Sequence, residues 1–249
     1  MLLTNSSTLG ALENLRYFTE EFPPYNFSEK GRMHGIATDI LLEASQLVKS
    51  PVQMSSIKLH PWARVYRIVR NTPNTVLFST GKTLARENLF KWAGPISRSR
   101  IVILAKKSNH IEITHSDELA YYSIGVVLDD IGEQLVLRAG ASAKNLQYAN
   151  TAVPLAKMLH YNRIQLWAYE ENVAYWSIQR AGLSRHDFEV VHELQTVDFY
   201  FAFNKTTDDS LVEKLQEGID MLKSSSEGSE ISTYDKILAK YRDWGEAAP

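Results

Sequence analysis

A threonine and an arginine in this chain have the types and the spacing needed to grip an anion. Thr83 precedes Arg86 by three residues, within the stretch 83–95. A hydroxyl and a guanidinium presented together at the start of a helical turn are suited to binding a carboxylate. The alternative is a helix capped by Thr83, with Arg86 solvated or paired to a neighbour and with Phe90 and Trp92 in the core. The elements that position the stretch help to choose between these interpretations.

Strands and helices alternate along the first part of the chain. The loop after the first predicted strand is stiffened by Pro23 and Pro24. Apolar spacing predicts strands at 15–18, 52–59 and 75–80. The same spacing predicts helices between them, at 35–48 and 61–69. The third of these strands leads directly to Thr83.

The alternation begins again after a β-rich run at 101–105. The predicted strands of this second part are 123–128, 163–168, 188–191 and 199–203. The predicted helices are 132–138, 153–160, 173–181, 210–224 and 231–244. The last two helices follow each other without a strand between them.

Such alternation is typical of α/β folds with mostly parallel sheets flanked by helices. Two alternating units followed by two more helices indicate a chain that leaves its first domain and returns to it. We therefore expect a discontinuous first lobe at 1–100 plus 201–249 and a second lobe at 101–200, joined by two crossing strands near 98–104 and 196–202. This topology creates a cleft between the lobes.

The composition excludes several classes of protein. With 249 residues, 44% of them hydrophobic, the chain can bury ordinary cores. The formal net charge is -2 and the basic residues are scattered, which gives no footprint for nucleic acid or an anionic membrane. The absence of cysteine excludes thiol catalysis, thiolate metal sites and disulfides. No run approaches the roughly 18 apolar residues of a membrane-spanning helix.

The patterns that identify common enzymes are missing as well. The chain contains no Gly-x-Ser-x-Gly motif, and Gly81-Lys82-Thr83 fails as a phosphate loop because Val76 stands where a glycine is required. The seven histidines are scattered without metal-ligand spacing, at His34, His60, His110, His115, His160, His186 and His192. We therefore expect a binding protein without a metal or other cofactor.

Several segments, in this order, resemble family 3 extracellular solute-binding proteins, the periplasmic amino-acid-binding class of ABC importers. The resemblance covers residues 15–244 and is carried by the segments 19–25, 35–41, 61–64, 83–95, 123–127, 162–168 and 200–205, and by the final pair of helices. It implies two α/β lobes that close on one small molecule. This two-lobed fold agrees with the topology that the alternating strands and helices predict.

The resemblance also implies roles for residues of the first lobe. Arg86 matches the arginine that binds the ligand's carboxylate, and Thr83 and the backbone of Gly81 match its partners. Phe22 and Trp62 match ring platforms against the ligand, with Tyr25 close by. Two alternatives remain open, a core position for Trp62 and a loop-anchoring role for Tyr25.

Acidic residues are implied for the ligand's cationic groups. Glu170 matches a residue that holds the α-ammonium, and its alternative is a solvated glutamate at a helix start, where it and Glu171 suit the macrodipole. Glu20 or Glu21, at the rim of the first lobe, would supply a second anion for a basic side chain. Arg64 is either a surface arginine or a further residue of the cleft.

The second lobe departs from the family's pattern at two places. The chain reads Leu-Asp-Asp-Ile-Gly at 128–132, so Ile131 stands where a ligand-contacting threonine is expected. The aspartates there would repel a carboxylate, although Asp130 could cap the following helix. Gln165 replaces an acidic residue. Together these departures argue against an ordinary α-amino acid as the ligand.

The sequence thus predicts a monomeric periplasmic protein that captures a small carboxylate-bearing ligand, an amino acid or a related compound, for the membrane subunits of an ABC importer. The alternatives are the sensing domain of a membrane receptor and an enzyme similar to cyclohexadienyl dehydratases. Residues 1–7 lack the features of a signal peptide, so an exported chain has already lost one. The end at 244–249 favours a free binding protein over a receptor domain.

Overall fold

The computed structural model describes residues 10–224 and 231–241. The predicted start at 1–7, the end at 244–249 and the last residues of the predicted helix 231–244 lie outside the described residues. The strands are β1 Arg16–Thr19, β2 Phe27–Glu29, β3 Arg32–His34, β4 Ile57–Leu59, β5 Thr75–Gly81, β6 Phe90–Lys106, β7 Ile124–Val127, β8 Leu146–Ala149, β9 Leu166–Glu170 and β10 Phe188–Asn204. The α-helices are α1 Ile36–Leu47, α2 Trp62–Asn71, α3 Ile131–Arg138, α4 Ala152–His160, α5 Glu171–Arg180, α6 Asp209–Lys223 and α7 Thr233–Lys240.

One large sheet runs through the molecule in the order β4-β1-β5-β10-β6-β9-β7-β8. Strands β4, β1 and β5 are parallel at one end, and β9, β7 and β8 are parallel at the other. Between them lie β6 and β10, two antiparallel strands of 17 residues each. The predicted α/β fold, with two parallel groups of strands joined by a crossing pair, is confirmed.

The helices divide between the two parallel groups. We call β1, β4 and β5 with α1, α2, α6 and α7 the first lobe, and β7 to β9 with α3 to α5 the second lobe. Helices α6 and α7, which follow the second lobe in the chain, pack on α1 of the first lobe. Lys240 on α7 pairs with Asp39 on α1 at 2.7 Å, which ties the two helices together. The lobe boundaries near residues 100 and 200 stay predictions.

Some predicted elements are wrong in extent. The strands expected at 188–191 and 199–203 are the two ends of the single strand β10. The middle of β10 is polar, and its register against β6 shifts at several points, for example between Glu193 and Gln195. The regular apolar alternation that predicts a strand is therefore interrupted there. The strand predicted at 163–168 begins only at Leu166. The β2–β3 hairpin and β8 were not predicted, because each is short and half exposed.

The close contact between α6 and α1 gives a test of the packing. A methyl group on Gly218 would lie 2.4 Å from the carbonyl oxygen of Ala44, and backbone cannot rotate away. We expect Gly218→Ala to lower the free energy of unfolding by about 1–3 kcal/mol despite the better helix propensity of alanine. Urea unfolding measures this, with Glu217→Ala on the exposed side of the same helix as control. Equal stability of the two variants would contradict the packing described here.

Candidate functional site

The strand directions bring four strand ends to the space between the lobes. Strand β5 ends at Gly81, which pairs with Phe199, and β9 runs the opposite way and ends at Glu170, which pairs with Ile101. Both ends therefore point toward the middle of the crossing strands β6 and β10. Glu20 follows β1, and Asp130 lies just after β7. The carboxyl ends of parallel strands are where α/β folds bind ligands.

Arg86 is a fully buried cation at this edge of the sheet, with 1% of its surface exposed. Its guanidinium carbon lies 5.0 Å from the ring centre of Trp62 and 5.3 Å from that of Tyr66. Its Nη2 donates to the Asp129 carbonyl oxygen of the second lobe at 3.1 Å. Burial lowers the pKa of Arg86, and the charge of Asp130 opposes this. The expectation of a solvated arginine is therefore wrong.

Thr83 begins a turn and not a helix. The amides of Arg86 and Glu87 donate to the Thr83 carbonyl oxygen at 2.9 and 2.8 Å, and residues 84–89 form turns before β6 begins at Phe90. The predicted capped helix at this position is wrong. Phe90 is buried as expected, whereas the ring of Trp92 is half-buried.

Two donors in this turn lack an acceptor. Arg86 Nε and Thr83 Oγ1 are both buried and make no hydrogen bond to any residue that the structure describes. Burying an unpaired polar group costs about 1–3 kcal/mol, and more when the group is charged. The two groups that the sequence singled out thus lie in one turn, and both are buried without a partner among the described residues.

Trp62 contacts the second lobe through its ring nitrogen. Nε1 donates to the Asp129 carbonyl oxygen at 2.8 Å, the same oxygen that Arg86 binds. The ring stacks on Tyr66 at 5.5 Å between centres and is 3% exposed. Asp129 has a φ of 61°, in the left-handed region that non-glycine residues rarely adopt. Two side chains of the first lobe therefore hold one carbonyl of the second.

Gly81 and Ile131 lie against each other across the space between the lobes. A methyl group on Gly81 would be 3.2 Å from Ile131 Cδ1 and 3.1 Å from Val197 Cγ2. Ile131 is buried and begins α3. Ile131, at the position where a ligand-contacting threonine was expected, thus makes an apolar contact with the end of β5 at Gly81.

Phe22 and Tyr25 form an aromatic floor together with Tyr169 and Phe199. The Phe22 ring lies 5.4 Å from Tyr25, 5.5 Å from Phe199 and 6.0 Å from Tyr169. Tyr25 also donates its hydroxyl to Glu170 Oε1 at 3.0 Å. This bond joins the loop of Tyr25 to the second lobe, and a contact between Tyr25 and the ligand stays a prediction.

Glu170 is buried and its carboxylate is heavily hydrogen-bonded. Oε2 accepts the Val173 amide at 2.7 Å and so caps α5. Oε1 accepts from Tyr25, from the Ser99 hydroxyl and, at 3.1 Å, from Asn172 Nδ2. Burial raises the pKa of Glu170 to about 7, and the bonds from Ser99 and Val173 oppose that rise. The alternative of a solvated glutamate is wrong, and the role of Glu170 toward an ammonium group stays a prediction.

Three more acidic residues near the space between the lobes differ in their surroundings. Glu20 and Asp130 are buried near Arg86. Glu21 instead accepts the Ser28 amide at 3.1 Å, within its own loop. The helix α3 begins after Asp130, but the Asp130 side chain makes no capping bond. The sequence did not predict that Asp130 lies beside Arg86, although its position directly after a buried strand was a usable signal.

Two further positions lie away from this space. Gln165 accepts the Ser123 amide at 3.1 Å on an exposed part of the second lobe, and Arg64 is exposed on α2. Among residues 10–224 and 231–241, no three His, Cys, Asp or Glu side chains are grouped as a metal site would need. In the same part of the chain, no helix has the length and apolar character needed to cross a bilayer.

The fold is similar to that of several solved structures. It superposes on an ancestral arginine-binding protein bound to arginine with a TM-score of 0.75 at 21% identity, covering 92% of this chain and 98% of that chain. A histidine kinase sensor domain similar to periplasmic binding proteins gives a TM-score of 0.78 at 16% identity, covering 92% and 96%. The substrate-binding protein of an amino acid ABC transporter gives 0.71 at 19% identity, covering 91% and 98%. At these identities the likeness supports the two-lobed fold.

Sequence comparisons identify the family. No curated protein sequence matches the chain. The sequence signature of the bacterial extracellular solute-binding proteins, family 3, matches residues 15–242, and the sequence-based resemblance is confirmed over almost the same range. The chain belongs to the bacterial extracellular solute-binding proteins, family 3.

Proposed function

We propose that this protein captures a small carboxylate-bearing ligand, an amino acid or a related compound, between its two lobes. The observation that carries this proposal is the pair of buried donors, Arg86 Nε and Thr83 Oγ1, that have no acceptor among the described residues. A carboxylate supplies two oxygens in one plane and matches the guanidinium fork. The Trp62 and Phe22 rings, buried nearby, would pack against the rest of the ligand.

The same geometry supports a closing motion as part of the mechanism. Trp62 and Arg86 hold the Asp129 carbonyl, and Tyr25 holds Glu170, so these bonds form only while the lobes are together. The crossing strands β6 and β10 join the lobes and act as the hinge in this proposal. Ligand binding would favour the closed form, which the membrane subunits of an ABC importer would recognise in the periplasm. We propose that the protein works as a monomer and does not transform its ligand.

A thermal-shift panel tests the proposed function. Amino acids, dipeptides and small organic acids are added at millimolar concentration, and each hit is compared with its decarboxylated form. A ligand at 100 times its Kd adds about 2.7 kcal/mol of stability, so we expect the melting temperature to rise by about 5–10 °C. The decarboxylated form should give a much smaller shift. No shift with any carboxylate, or equal shifts with and without the carboxyl group, would contradict the proposal.

A sensing role is the second candidate, and the similarity to a histidine kinase sensor domain favours it. The two roles share the binding site and differ in the partner. Deleting the gene should abolish uptake of the radiolabelled panel hit if the protein serves an importer. Normal uptake together with loss of the transcriptional response to that compound would favour the sensor. Mass spectrometry of the hit after incubation with the protein tests for turnover, and we expect the compound unchanged.

A further inference from the structure

One pocket of the second lobe shares no residue with the site around Arg86. It lies between α5 and the start of β10, and its volume is about 670 Å³, within the range of about 300–1,000 Å³ that is typical of small-molecule sites. Three basic and three aromatic or amide side chains line it, from Lys107, Arg185, His186, Tyr175, Phe188 and Gln179. We propose that this pocket binds a second ligand, a small organic dianion of the phosphate monoester or dicarboxylate class.

The charge of the lining is the first argument. The lining residues that the structure describes include the cations Lys107 and Arg185 and the titratable His186, and they include no carboxylate. The chain as a whole has 27 basic and 29 acidic residues, so a lining with basic groups alone departs from the composition. A concave surface lined by one sign of charge attracts ligands of the opposite sign. The pocket therefore favours an anion.

The two cations are also unpaired. Among residues 10–224 and 231–241, neither Lys107 nor Arg185 forms an ion pair or donates a side-chain hydrogen bond. The guanidinium carbon of Arg185 lies 4.9 Å from the ring centre of Tyr175. This ring contact supports the guanidinium and leaves its N–H donors without an acceptor in the described part of the chain. A phosphate or a carboxylate matches such a planar set of donors.

Gln179 gives an independent observation. Its Oε1 atom is buried and accepts no hydrogen bond from any residue that the structure describes, and the same side chain lines the pocket. An unpaired buried acceptor is costly, and a hydroxyl or N–H group of a ligand removes that cost. The ligand is therefore an anion whose organic part carries a hydrogen-bond donor.

Two rings give the pocket an apolar wall. Phe188 is 2% exposed, and Tyr175 is half-buried below the Arg185 guanidinium. A carbon skeleton buries apolar area against such rings, whereas a hydrated inorganic ion does not. This wall favours an organic dianion over inorganic phosphate.

A purely structural role for the basic groups is the competing explanation. Helix α5 ends at Arg180, and Arg185 follows soon after, where basic side chains complement the negative end of the helix dipole. Burial raises the pKa of the Tyr175 phenol, the charge of Glu171 raises it further, and Arg185 opposes this rise, so the cation also acts on the protein's own groups. Solvated surface cations predict no saturable binding of dianions. A ligand site predicts one molecule bound per chain.

Titration calorimetry on the full chain distinguishes the two explanations. The probes are ribose 5-phosphate, compared with ribose, and malate, compared with lactate, which lacks the second carboxylate. We expect at least one dianion to bind with a stoichiometry of one and about 10-fold or more tightly than its partner compound. Ribose 5-phosphate as the only binder identifies a phosphate monoester site, and malate as the only binder identifies a dicarboxylate site. No saturable binding of either dianion would overturn the proposal.

Two variants locate the bound dianion. Arg185→Gln and Lys107→Gln each remove one positive charge, and each should weaken binding of the dianion about 10-fold or more. The matched controls are Arg138→Gln and Lys144→Gln, exposed changes elsewhere on the second lobe, which should bind as the wild type does. Unchanged affinity in both Arg185→Gln and Lys107→Gln would place the dianion elsewhere and overturn the assignment.

Arg86→Ala separates this inference from the proposed function. The dianion should bind Arg86→Ala as it binds the wild type, and the hit of the thermal-shift panel should bind Arg185→Gln as it binds the wild type. Dianion binding that is lost in Arg86→Ala and kept in Arg185→Gln would assign the dianion to the space between the lobes and overturn the second site. Failure of the whole panel together with dianion binding that depends on Arg185 would overturn the proposed function alone.

Discussion

Replacing Arg86 with alanine should remove most of the ligand affinity, by about 2–5 kcal/mol, which is the usual cost of deleting one partner of a buried charged contact. The guanidinium has 1% exposure and an Nε without an acceptor, so a ligand oxygen that it binds would be fully desolvated. Losing it would also remove the positive charge that lowers the pKa of the Glu20 and Asp130 carboxyls. Titration calorimetry with the strongest hit of the panel measures the loss.

Two further variants show whether the lost affinity is specific to the guanidinium. Arg86→Lys keeps the positive charge but not the planar fork, and we expect it to lose about tenfold or more in affinity. Arg67→Ala removes an exposed arginine from α2 and should bind as the wild type does. Because Arg86→Ala also removes the contact with the Asp129 carbonyl, its unfolding must be measured in parallel. A stable Arg86→Ala protein with near-normal affinity would exclude Arg86 from the site.

The sequence predicted the fold well because its elements are locally encoded. The run at 75–81 is buried on both faces of the sheet, so its apolar character alone marks a strand. The place of Thr83 and Arg86 at the end of that strand followed from the same run. The middle of β10 at 192–196, by contrast, is polar and has no apolar run that marks a strand. This segment crosses between the lobes, and its pairing with β6 keeps it extended. Local propensity does not report such tertiary pairing.

The arrangement of charges was harder to predict than the positions of the strands. Glu20, Arg86 and Asp130 are far apart in sequence, and their closeness depends on how two lobes meet. By side-chain type alone, the aspartates at 129 and 130 are groups that repel a carboxylate. In the structure the Asp129 backbone carbonyl, and not its side chain, binds Trp62 and Arg86. A sequence pattern gives side-chain types, whereas this contact is made by a backbone oxygen that every residue carries.

Glu170 should make the protein less stable as the pH rises from about 4.5 to 7. Burial raises the pKa of this carboxyl from its ordinary 4.5 to about 7, so in that window the folded protein binds a proton that the unfolded chain has lost. The folded state binds more protons, and its stability therefore falls with rising pH. Across the full window the free energy of unfolding should decrease by up to about 3 kcal/mol from this group.

Glu170→Gln removes this dependence because the amide does not ionise. The difference in stability between wild type and variant should favour the wild type more at pH 4.5 than at pH 7.5, with a change of about 3 kcal/mol between the two. Urea unfolding at half-unit pH steps measures it, and the surface variant Glu43→Gln serves as the matched control. The neighbouring acids Glu20 and Asp130 titrate in both proteins, so the difference isolates Glu170. Parallel stability curves for the wild type and Glu170→Gln would mean that Glu170 stays ionised throughout, with its bonds from Tyr25, Ser99 and Val173 outweighing its burial.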